Sequence, residues 1–431
     1  MAGQELLRGL DLEAAHDFAT QLAVRAGAML RENAWKRACA PHLSSSASSA
    51  DPISHDQSYA AEKLHENGAL NTREKDSSVD VVTDIDLSVE RFVVEEIRKV
   101  YPGFDVLAEE AYAAGGSKRY ACSELPTWIV DPLDGTVNFT HLFPTVCVSI
   151  GLAIGNEPVC GAIYAPLMGA GANLDPVSHL GGMLWSACKG HGAFQSTPDR
   201  RHPQTSTLQW LKANIVGSTM PSTADSKRTA GLDGHPRPLR LPINSAPLLR
   251  TSSPQIASST LKGLLLISEW GKDRRPPSDP QSNLTRKANT FWNLTKRSTA
   301  DEAGQQGGEV HGIRSLGSAA LDLVYCASGS VDIMWEGGCW EWDVCAGLAI
   351  LAEAGGLWTD GNAPSPASAL WREDTPLPRG SLGGRRFLCI RPEATPNEST
   401  RLAQERIARA VWRNLHHGGL QYEREGVVYP S

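Results

Sequence analysis

Apolar residues recur at helical spacing in several parts of the chain. The spacing predicts an amphipathic helix over about 11–32 and a second helix that is capped around 84–86 and ends at Pro102. Residues 320–329 and 339–356 predict two further helices, and the last one closes on a pair of glycines. Shorter apolar runs lie between these helices and have the length of strands.

Strands are predicted where such runs are bounded by turn residues. The run DVLA, 105–108, stops on two glutamates, and Trp128–Val130 leads directly into the turn DPLDGT. Residues 146–169 contain two runs joined at GNEP, which is typical of a hairpin, and 181–194 continues the meander. The run VDIMWE, 331–336, predicts a strand near the C-terminal end. Alternation of strands and helices indicates an α/β or α+β fold.

Two regions have a composition that suits a core poorly. Residues 38–72 are rich in Ser, Ala and polar groups and predict an exposed insertion. Residues 196–310 are irregular, although LKGLLLISEWG, 261–271, must be a buried strand or helix. Within them GKDRRPPSDPQSNLTRK, 271–287, is the most loop-like piece.

The length of 431 residues suits one large or two medium domains.

Charge and cysteine content exclude several classes of protein. The formal net charge of −7 argues against a broad binding surface for nucleic acid or an anionic membrane. An anionic substrate would therefore need local positive charge from metal ions or a few basic side chains. The nine cysteines are scattered without metal-ligand spacing, and the N-terminus lacks the uninterrupted apolar run of a signal peptide. These features predict a cytoplasmic protein with reduced thiols and no membrane span.

Carboxylates fall repeatedly at the ends of predicted strands or the starts of predicted helices. They are Asp86, Glu109, Glu110, Asp131, Asp134, Asp343 and Glu336. Oxygen ligands with few histidines nearby suit Mg²⁺ better than Zn²⁺. Like charges at ~4 Å repel by roughly 4 kcal/mol at an effective dielectric of 20, so a shared site would require cations.

The turn DPLDGT adds donors for an anion. Pro132 limits the conformations between the two aspartates, and Gly135 removes the side chain where a helix would begin. The free N–H groups of Gly135 and Thr136 would point at a phosphate. Each feature alone is more simply structural: a turn, a helix cap at Asp86 or Asp343, or solvated glutamates. Their joint occurrence favours a phosphatase site.

Five motifs follow one another along the chain: VDVVTDID, LAEE, WIVDPLDGTVNFTHLFP, HGIRSLGSAA and WDVCAGLAILAEAGG. Through them the sequence resembles the inositol monophosphatase family, within the lithium-sensitive, magnesium-dependent phosphatase superfamily. The similarity covers roughly 75–195 and 310–415 together with the first helix. The sequence also resembles fungal members, including those encoded with quinate-utilisation genes, through LISEWGKDRR and the tail TRLAQERIARAVWRNL. The resemblance implies an N-terminal α+β half over 1–205 and a C-terminal α/β half over 206–431, with long loop insertions within 220–305.

The resemblance implies a layered αβαβα sandwich of the inositol monophosphatase and fructose-1,6-bisphosphatase type, a homodimer, and two Mg²⁺ ions with a third, weaker one. The implied ligands of the first ion are Glu109, Asp131 and the main-chain carbonyl of Leu133. Those of the second are Asp131, Asp134 and Asp343. The third would lie near Glu109 and Asp86.

The resemblance also implies catalytic and substrate contacts. Thr136, hydrogen-bonded to Asp86, would act with Glu109 to orient and deprotonate the attacking water, while Glu110 and Lys75 would support the cluster. The implied phosphate and substrate contacts are Gly135, Thr136, Asp134, Gly317, Ser318, Ala319, Glu336 and Asp343. Glu336 would accept a hydroxyl of the inositol ring.

Three positions depart from the family pattern. Ala108 stands where a glycine usually precedes the two glutamates, Ile85 replaces a common threonine, and Asp84 adds an acid. The extra methyl group of Ala108 would strain the turn without removing a ligand, and the insertions put the substrate preference in doubt.

The expected activity is Mg²⁺-dependent hydrolysis of a small phosphate monoester, with inositol 1-phosphate favoured. The rivals are 3'-phosphoadenosine 5'-phosphate, fructose 1,6-bisphosphate and histidinol phosphate. The similar regions show no basic cluster for a second phosphate, and Glu336 suits a polyol. A different class remains open: a catalytically weak binding or regulatory protein of quinate metabolism.

Overall fold

The computed structural model describes residues 10–46, 72–74, 81–115, 122, 125–168, 181–198, 238–244, 261–297, 307–393, 398–427 and 429. Lys75, predicted to support the acid cluster, lies outside these described residues, as do most of the predicted insertion at 38–72 and much of 220–305.

The elements between residues 12 and 240 are α1 Leu12–Ser46, β1 Thr72–Glu74, β2 Val81–Thr83, α2 Asp84–Val100, β3 Asp105–Ala108, α3 Glu109–Gly115, β4 Pro126–Asp134, α4 Thr136–Thr140, β5 Cys147–Ile154, β6 Glu157–Ala165, β7 Met183–Cys188, β8 Gly192–Ser196 and β9 Leu239–Arg240. Seven of these strands form one sheet in the order β3-β4-β5-β6-β7-β8-β9. Only the first pair, β3 with β4, is parallel, and the hairpin predicted at GNEP joins β5 to β6.

The elements between residues 265 and 414 are β10 Leu265–Ile267, α5 Asn283–Thr295, β11 Gly312–Arg314, α6 Ala319–Ala327, β12 Ile333–Gly337, α7 Glu341–Ala354, β13 Leu357–Asp360, a 3₁₀ turn Ala369–Trp371, β14 Arg386–Ile390 and α8 Glu398–Asn414. Their strands form a five-stranded sheet in the order β11-β10-β12-β14-β13. Strand β10 is parallel to β11 and β12, whereas β14 is antiparallel to β12 and β13.

Strand periodicity divides the core into three layers of apolar contact. In β4, Trp128 and Val130 pack against α1 and α2, whereas Ile129 faces α6 and α7. In β14, Phe387 faces α6 and α7, whereas Leu388 packs with α5 and α8. The order of layers is therefore α1 and α2, first sheet, α6 and α7, second sheet, α5 and α8. This confirms the predicted αβαβα sandwich.

Two helices differ from the predicted elements. Helix α1 was expected to end near 32 but continues to Ser46, because Ala34 is buried and the Arg37 guanidinium donates to the carbonyls of Phe139 and Thr140 at 2.8 and 2.7 Å. The prediction of a loop over 271–287 is also wrong for the last residues of that segment. Helix α5 begins at Asn283, where the Ser282 hydroxyl accepts the Thr285 N–H at 3.2 Å as an N-cap.

No helix in the described ranges combines the length and the apolar content that a membrane crossing needs.

Candidate active site

The end of β4 brings two carboxylates toward one side of the sheet. Pairing with β5 shifts between Asp131, opposite Ser149, and Asp134, opposite Cys147, so three steps on β4 face two on β5. This bulge bends the strand and re-aims its side chains. The Asp131 Oδ1 accepts the Leu133 N–H at 2.9 Å, which fixes the side chain within the turn.

A third carboxylate reaches the same place from the other half of the chain. Asp343 lies in the first turn of α7, where its Oδ2 accepts the Trp340 N–H at 2.7 Å. Carboxylate oxygens of Asp131, Asp134 and Asp343 all lie within 4.8 Å of one another. Glu109, the first residue of α3, lines the same cavity, whose volume is about 800 Å³. The structure therefore brings together four acids that are far apart in sequence.

The pKa values of this cluster are displaced upward. Burial, followed by the charges of Glu109, Asp134 and Asp343, raises the pKa of Asp131 well above its usual value. Burial also raises the pKa of Asp134 to about 6, against hydrogen bonds from Ser318 and Ala320. For Asp343, burial and then the charge of Asp134 raise the pKa to about 8. A divalent cation with oxygen ligands would relieve this repulsion, so the donor set fits Mg²⁺.

Asp86 connects the cluster to the short helix α4. Its Oδ2 accepts the N–H and the hydroxyl of Thr83, the N-cap of α2, so Asp86 is indeed a capping residue. Its Oδ1 accepts the Thr136 hydroxyl at 3.1 Å, and the Leu133 carbonyl lies 3.1 Å from that same hydroxyl. Asp86 is fully buried, and each of its two oxygens accepts at least one of these hydrogen bonds.

Glu90 anchors the turn that carries Glu109 and Glu110. Its carboxylate accepts the N–H groups of Glu110 and Ala111 at 2.7 and 2.8 Å, at the start of α3. Glu110 is itself buried. Ala108 pairs with Val130 in the sheet and has no positive φ, so the strain expected from its methyl group is absent.

Two glycines shape the wall beside Asp134. Gly135 has φ 88°, and a Cβ there would come within 2.8 Å of the Thr145 carbonyl. Gly317 has φ 76°, and a Cβ there would meet the Asn138 amide at 2.7 Å. Asn138 donates to the carbonyls of Thr145 and Leu316 at 2.8 and 2.7 Å and thereby joins the two halves of the chain.

The segment that precedes α6 closes onto Asp134. The Ser318 hydroxyl and the Ala320 N–H donate to the Asp134 Oδ2 at 2.6 and 2.8 Å. Gly317, Ser318 and Ala319 line the cavity together with Gly135 and Thr136. The residues that the resemblance assigns to phosphate thus surround the carboxylates.

Glu336 lies in the cavity wall but is engaged by the protein. Its Oε1 lies 2.6 Å from the Nζ of Lys287, and its Oε2 accepts the Glu269 N–H at 2.6 Å. Glu336 is 2% exposed and Lys287 is fully buried. Sequence reasoning missed this partner, since Lys287 falls in the segment expected to be loop.

Glu269 and a group of basic residues were also missed. The Glu269 carboxylate accepts the N–H groups of Leu316 and Gly317 at 2.6 and 2.9 Å, which positions the segment before α6. The signal was an acid at the end of a buried apolar run, as at Glu109. Four basic side chains also line the cavity: Lys272, Arg274, Arg275 and Arg385.

The five-layer fold and the buried acid cluster together define a class, the metal-dependent phosphatases with an αβαβα sandwich. The chain belongs to the inositol monophosphatase family, whose model matches residues 11–249 and 248–416. The family membership that the motifs predicted is thereby confirmed.

Curated relatives extend over nearly the whole chain. "Protein qutG" of Emericella nidulans is 37% identical over 416 residues, covering 96% of this chain and 96% of the relative. "Quinic acid degradation cluster protein x" of Neurospora crassa is 37% identical, covering 96% and 97%. "Inositol monophosphatase 2" of Saccharomyces cerevisiae is 33% identical, covering 81% and 87%.

Proposed function

We propose that the protein hydrolyses a small phosphate monoester at this cavity, with Mg²⁺ as the cofactor. The observation that carries the proposal is the approach of Asp131, Asp134 and Asp343 within 4.8 Å, next to Glu109. In this proposal the first ion is held by Glu109, Asp131 and the Leu133 carbonyl, and the second by Asp131, Asp134 and Asp343. A third, weaker site lies near Glu109 and Asp86.

Divalent ions held there would supply Lewis acidity that lowers the pKa of water and neutralises charge on the ester. The chain supplies the proton path. A water beside Thr136 donates to its hydroxyl oxygen, and the hydroxyl in turn donates to the Asp86 Oδ1 at 3.1 Å. Glu109 assists as a second acceptor. The oxygen of water then attacks phosphorus and the phosphorus–oxygen ester bond breaks. The leaving alkoxide takes a proton from solvent water, and the proton accepted by Asp86 or Glu109 returns to solvent, so that water and ester become alcohol and inorganic phosphate.

The remaining predicted residues position the phosphate. The N–H groups of Gly135 and Thr136 face the ester in this proposal, and Ser318 holds Asp134 through the 2.6 Å hydrogen bond. Gly317 and Ala319 leave room beside them, and Glu110 supports the turn from behind.

Inositol 1-phosphate stays a prediction, supported by the names of relatives such as the yeast protein. Its sequence-based argument is weaker now, because Lys287 occupies the Glu336 carboxylate and basic residues do line the cavity. The homodimer and the cytoplasmic location also stay predictions; light scattering after size exclusion and imaging of a tagged protein would check them.

The Asp131→Asn variant tests the proposal. We expect it to abolish phosphate release while the fold is retained, because Asp131 is a proposed ligand of both ions and the amide replaces its charged carboxylate. Inorganic phosphate is measured with Mg²⁺ over inositol 1-phosphate, 3'-phosphoadenosine 5'-phosphate, fructose 1,6-bisphosphate and histidinol phosphate. The Asp374→Asn variant, whose side chain is 65% exposed on the surface, is the matched control. Turnover by a folded, Mg²⁺-loaded Asp131→Asn protein would contradict the assignment.

A binding or regulatory role in quinate metabolism is the second candidate, since one relative is named for a quinic acid degradation cluster and not for an activity. Calorimetric Mg²⁺ binding by the wild-type protein without phosphate release from any ester of the panel would support that role and reject the enzymatic one.

A further inference from the structure

The cavity carries positive as well as negative charge. Its carboxylates lie at the ends of β4 and at the starts of α3 and α7. Three basic residues of the C-terminal half line it too and are called the cationic wall here: Lys272, Arg274 and Arg385. Lys272 and Arg385 both lie close enough to Asp343 for their charges to affect its environment or to be affected by it. The cationic wall is thus part of the same site.

Arg385 is held in place although it has no acidic partner. Its Nη2 donates to the Gly338 carbonyl at 2.7 Å, and the Gly338 N–H donates back to the Arg385 carbonyl at 2.8 Å. The guanidinium carbon lies 3.7 Å from the centre of the Trp340 ring. The backbone has φ 57°, in the left-handed region that side-chain-bearing residues rarely occupy. The Nε is buried without a hydrogen-bond partner.

Neighbouring basic residues are used differently. Arg275 forms an ion pair with Asp273, whose Oδ2 lies 2.7 Å from the Arg275 Nη2, and Lys287 forms an ion pair with Glu336. Arg274 instead donates only to the carbonyls of Gly271 and Asp273, at 2.6 and 3.0 Å. Among the residues with described positions, no carboxylate forms an ion pair with Arg274 or Arg385. These two guanidinium groups remain available to an anion from outside.

The phosphate to be hydrolysed does not account for this charge. That phosphate would bind at the acid cluster, where divalent ions match both the carboxylates and the ester. A desolvated cation without a counter-charge is unfavourable unless a ligand compensates it. Guanidinium groups suit the planar, two-point recognition of carboxylate or phosphate. The cavity of about 800 Å³ has room for a group beyond the phosphate.

We propose, building on the proposed function, that the cationic wall binds a second anionic group of the substrate, a carboxylate or a phosphate. The site then selects phosphate monoesters whose alcohol part carries a further carboxylate or phosphate over phosphate monoesters of neutral polyols. Arg385 provides a fixed contact through its Trp340 stack, and Arg274 provides an exposed, adjustable one. Lys272, whose charge acts on Asp343, adds a point charge to the same wall.

The test measures binding with two matched pairs of ligands, in Ca²⁺ so that turnover does not interfere. Glycerol 3-phosphate and 3-phosphoglycerate differ by a carboxylate; fructose 6-phosphate and fructose 1,6-bisphosphate differ by a phosphate. Calorimetry should show that, in at least one pair, the wild-type protein binds the ligand with the additional anionic group about 10- to 100-fold more tightly than its partner. The pair that shows the difference identifies the anion.

The variants Arg274→Gln and Arg385→Gln should each lower that affinity ratio about tenfold. Arg372→Gln removes the same charge on the surface, where the side chain is 68% exposed and paired with Asp374, and should leave the ratio as in wild type. Since Arg274 is exposed and contacts only its own loop, its variant keeps the test valid if Arg385→Gln unfolds.

Equal affinities within both pairs, or an unchanged ratio in Arg274→Gln, would overturn the cationic wall as a substrate site. Failure of the proposed function looks different: no ester of either pair releases phosphate with Mg²⁺, while the affinity ratio and its loss in the variants persist.

Discussion

Asp86 combines a structural contact with a place in the site. One oxygen caps α2 through Thr83, and the other receives the Thr136 hydroxyl. The sequence offered the cap and the site as alternatives, and the geometry shows that the two contacts use different oxygens. Asp343 behaves in the same way, since its Oδ2 accepts the Trp340 N–H while the side chain remains in the acid cluster. A helix cap is therefore compatible with metal binding, because it fixes the carboxylate.

Thr136 provides the test of the proton path at this scale. Thr136→Ala should lower kcat about 10²- to 10⁴-fold, because the hydroxyl between water and Asp86 is lost, whereas Thr136→Ser should retain most of the activity. The matched control is Thr140→Ala on the same helix, whose hydroxyl donates to the Val137 carbonyl at 2.7 Å. Phosphate release at saturating substrate and Mg²⁺ measures the effect. Equal activity of Thr136→Ala and wild type would remove Thr136 from the mechanism.

Other single residues could not be found from the sequence. Glu90 looks like one more acid on an amphipathic helix, yet it caps α3 from twenty positions away. Asn138 stands within the DPLDGTVNF motif, but its contact with the Leu316 carbonyl joins segments 178 positions apart. Motif spacing indicates the residues that carry chemistry, whereas the partners that orient them depend on the fold.

Helix α5 shows the same limit for whole elements. The segment before it contains Pro276, Pro277 and Pro280 and few apolar residues, so local pattern favours a loop. Its apolar face is short, with Phe291 and Leu294 packed against the second sheet. The helix is also held by the buried pair of Lys287 and Glu336, whose Nζ and Oε1 lie 2.6 Å apart. That contact is invisible to any local pattern, which is why the cavity wall was taken for a loop.

Removing one member of this pair should be strongly destabilising. Lys287→Met leaves the buried Glu336 carboxylate without its cation, at a cost of about 3–5 kcal/mol. Burial already raises the pKa of Glu336 and Lys287 opposes that rise, so the variant should also bind a proton there more readily. Denaturant unfolding at pH 7 measures the loss.

The control and the rescue define the origin of that loss. Lys189→Met breaks a surface pair with Glu157, with side chains 50% and 43% exposed, and should change stability by less than about 1 kcal/mol. The double variant Lys287→Met, Glu336→Gln should recover part of the loss, because the unpaired charge is removed. A double variant no more stable than Lys287→Met would place the effect in packing instead.

The two halves of the chain meet around the acid cluster, whose carboxylates carry charge of the same sign. Strands and helices from both halves meet at the cavity, and the C-terminal segment reinforces the contact. There Arg424 lies 2.6 Å from Glu341 and 2.8 Å from the Tyr112 hydroxyl. The family resemblance predicted the layers, and the motifs predicted the acid cluster, because the strand and helix ends that carry the motifs are locally encoded. The position of the C-terminal segment had no such signal, since it depends on a long-range ion pair.

The acid cluster predicts that the metal-free protein becomes less stable as the pH rises. The pKa values of Asp134 and Asp343 are raised to about 6 and about 8 in the folded state, chiefly by burial. Below about pH 3 these groups are largely neutral in both states, and little penalty arises. As pH rises toward 8, the folded protein must ionise clustered, buried acids that the unfolded chain has already ionised. Stability should therefore fall, by an amount on the order of a few kcal/mol.

Mg²⁺ should reverse this dependence, because it binds the ionised carboxylates of the folded state. Melting temperatures measured in EDTA should fall from pH 5 to pH 8.5, and the increase caused by Mg²⁺ should be largest at the alkaline end. Asp343→Asn removes one of the repelling charges, so the metal-free variant should lose less stability over the same range and gain less from Mg²⁺. A metal-free wild-type protein whose melting temperature rises toward pH 8.5 would show that the four acids do not share one charged site.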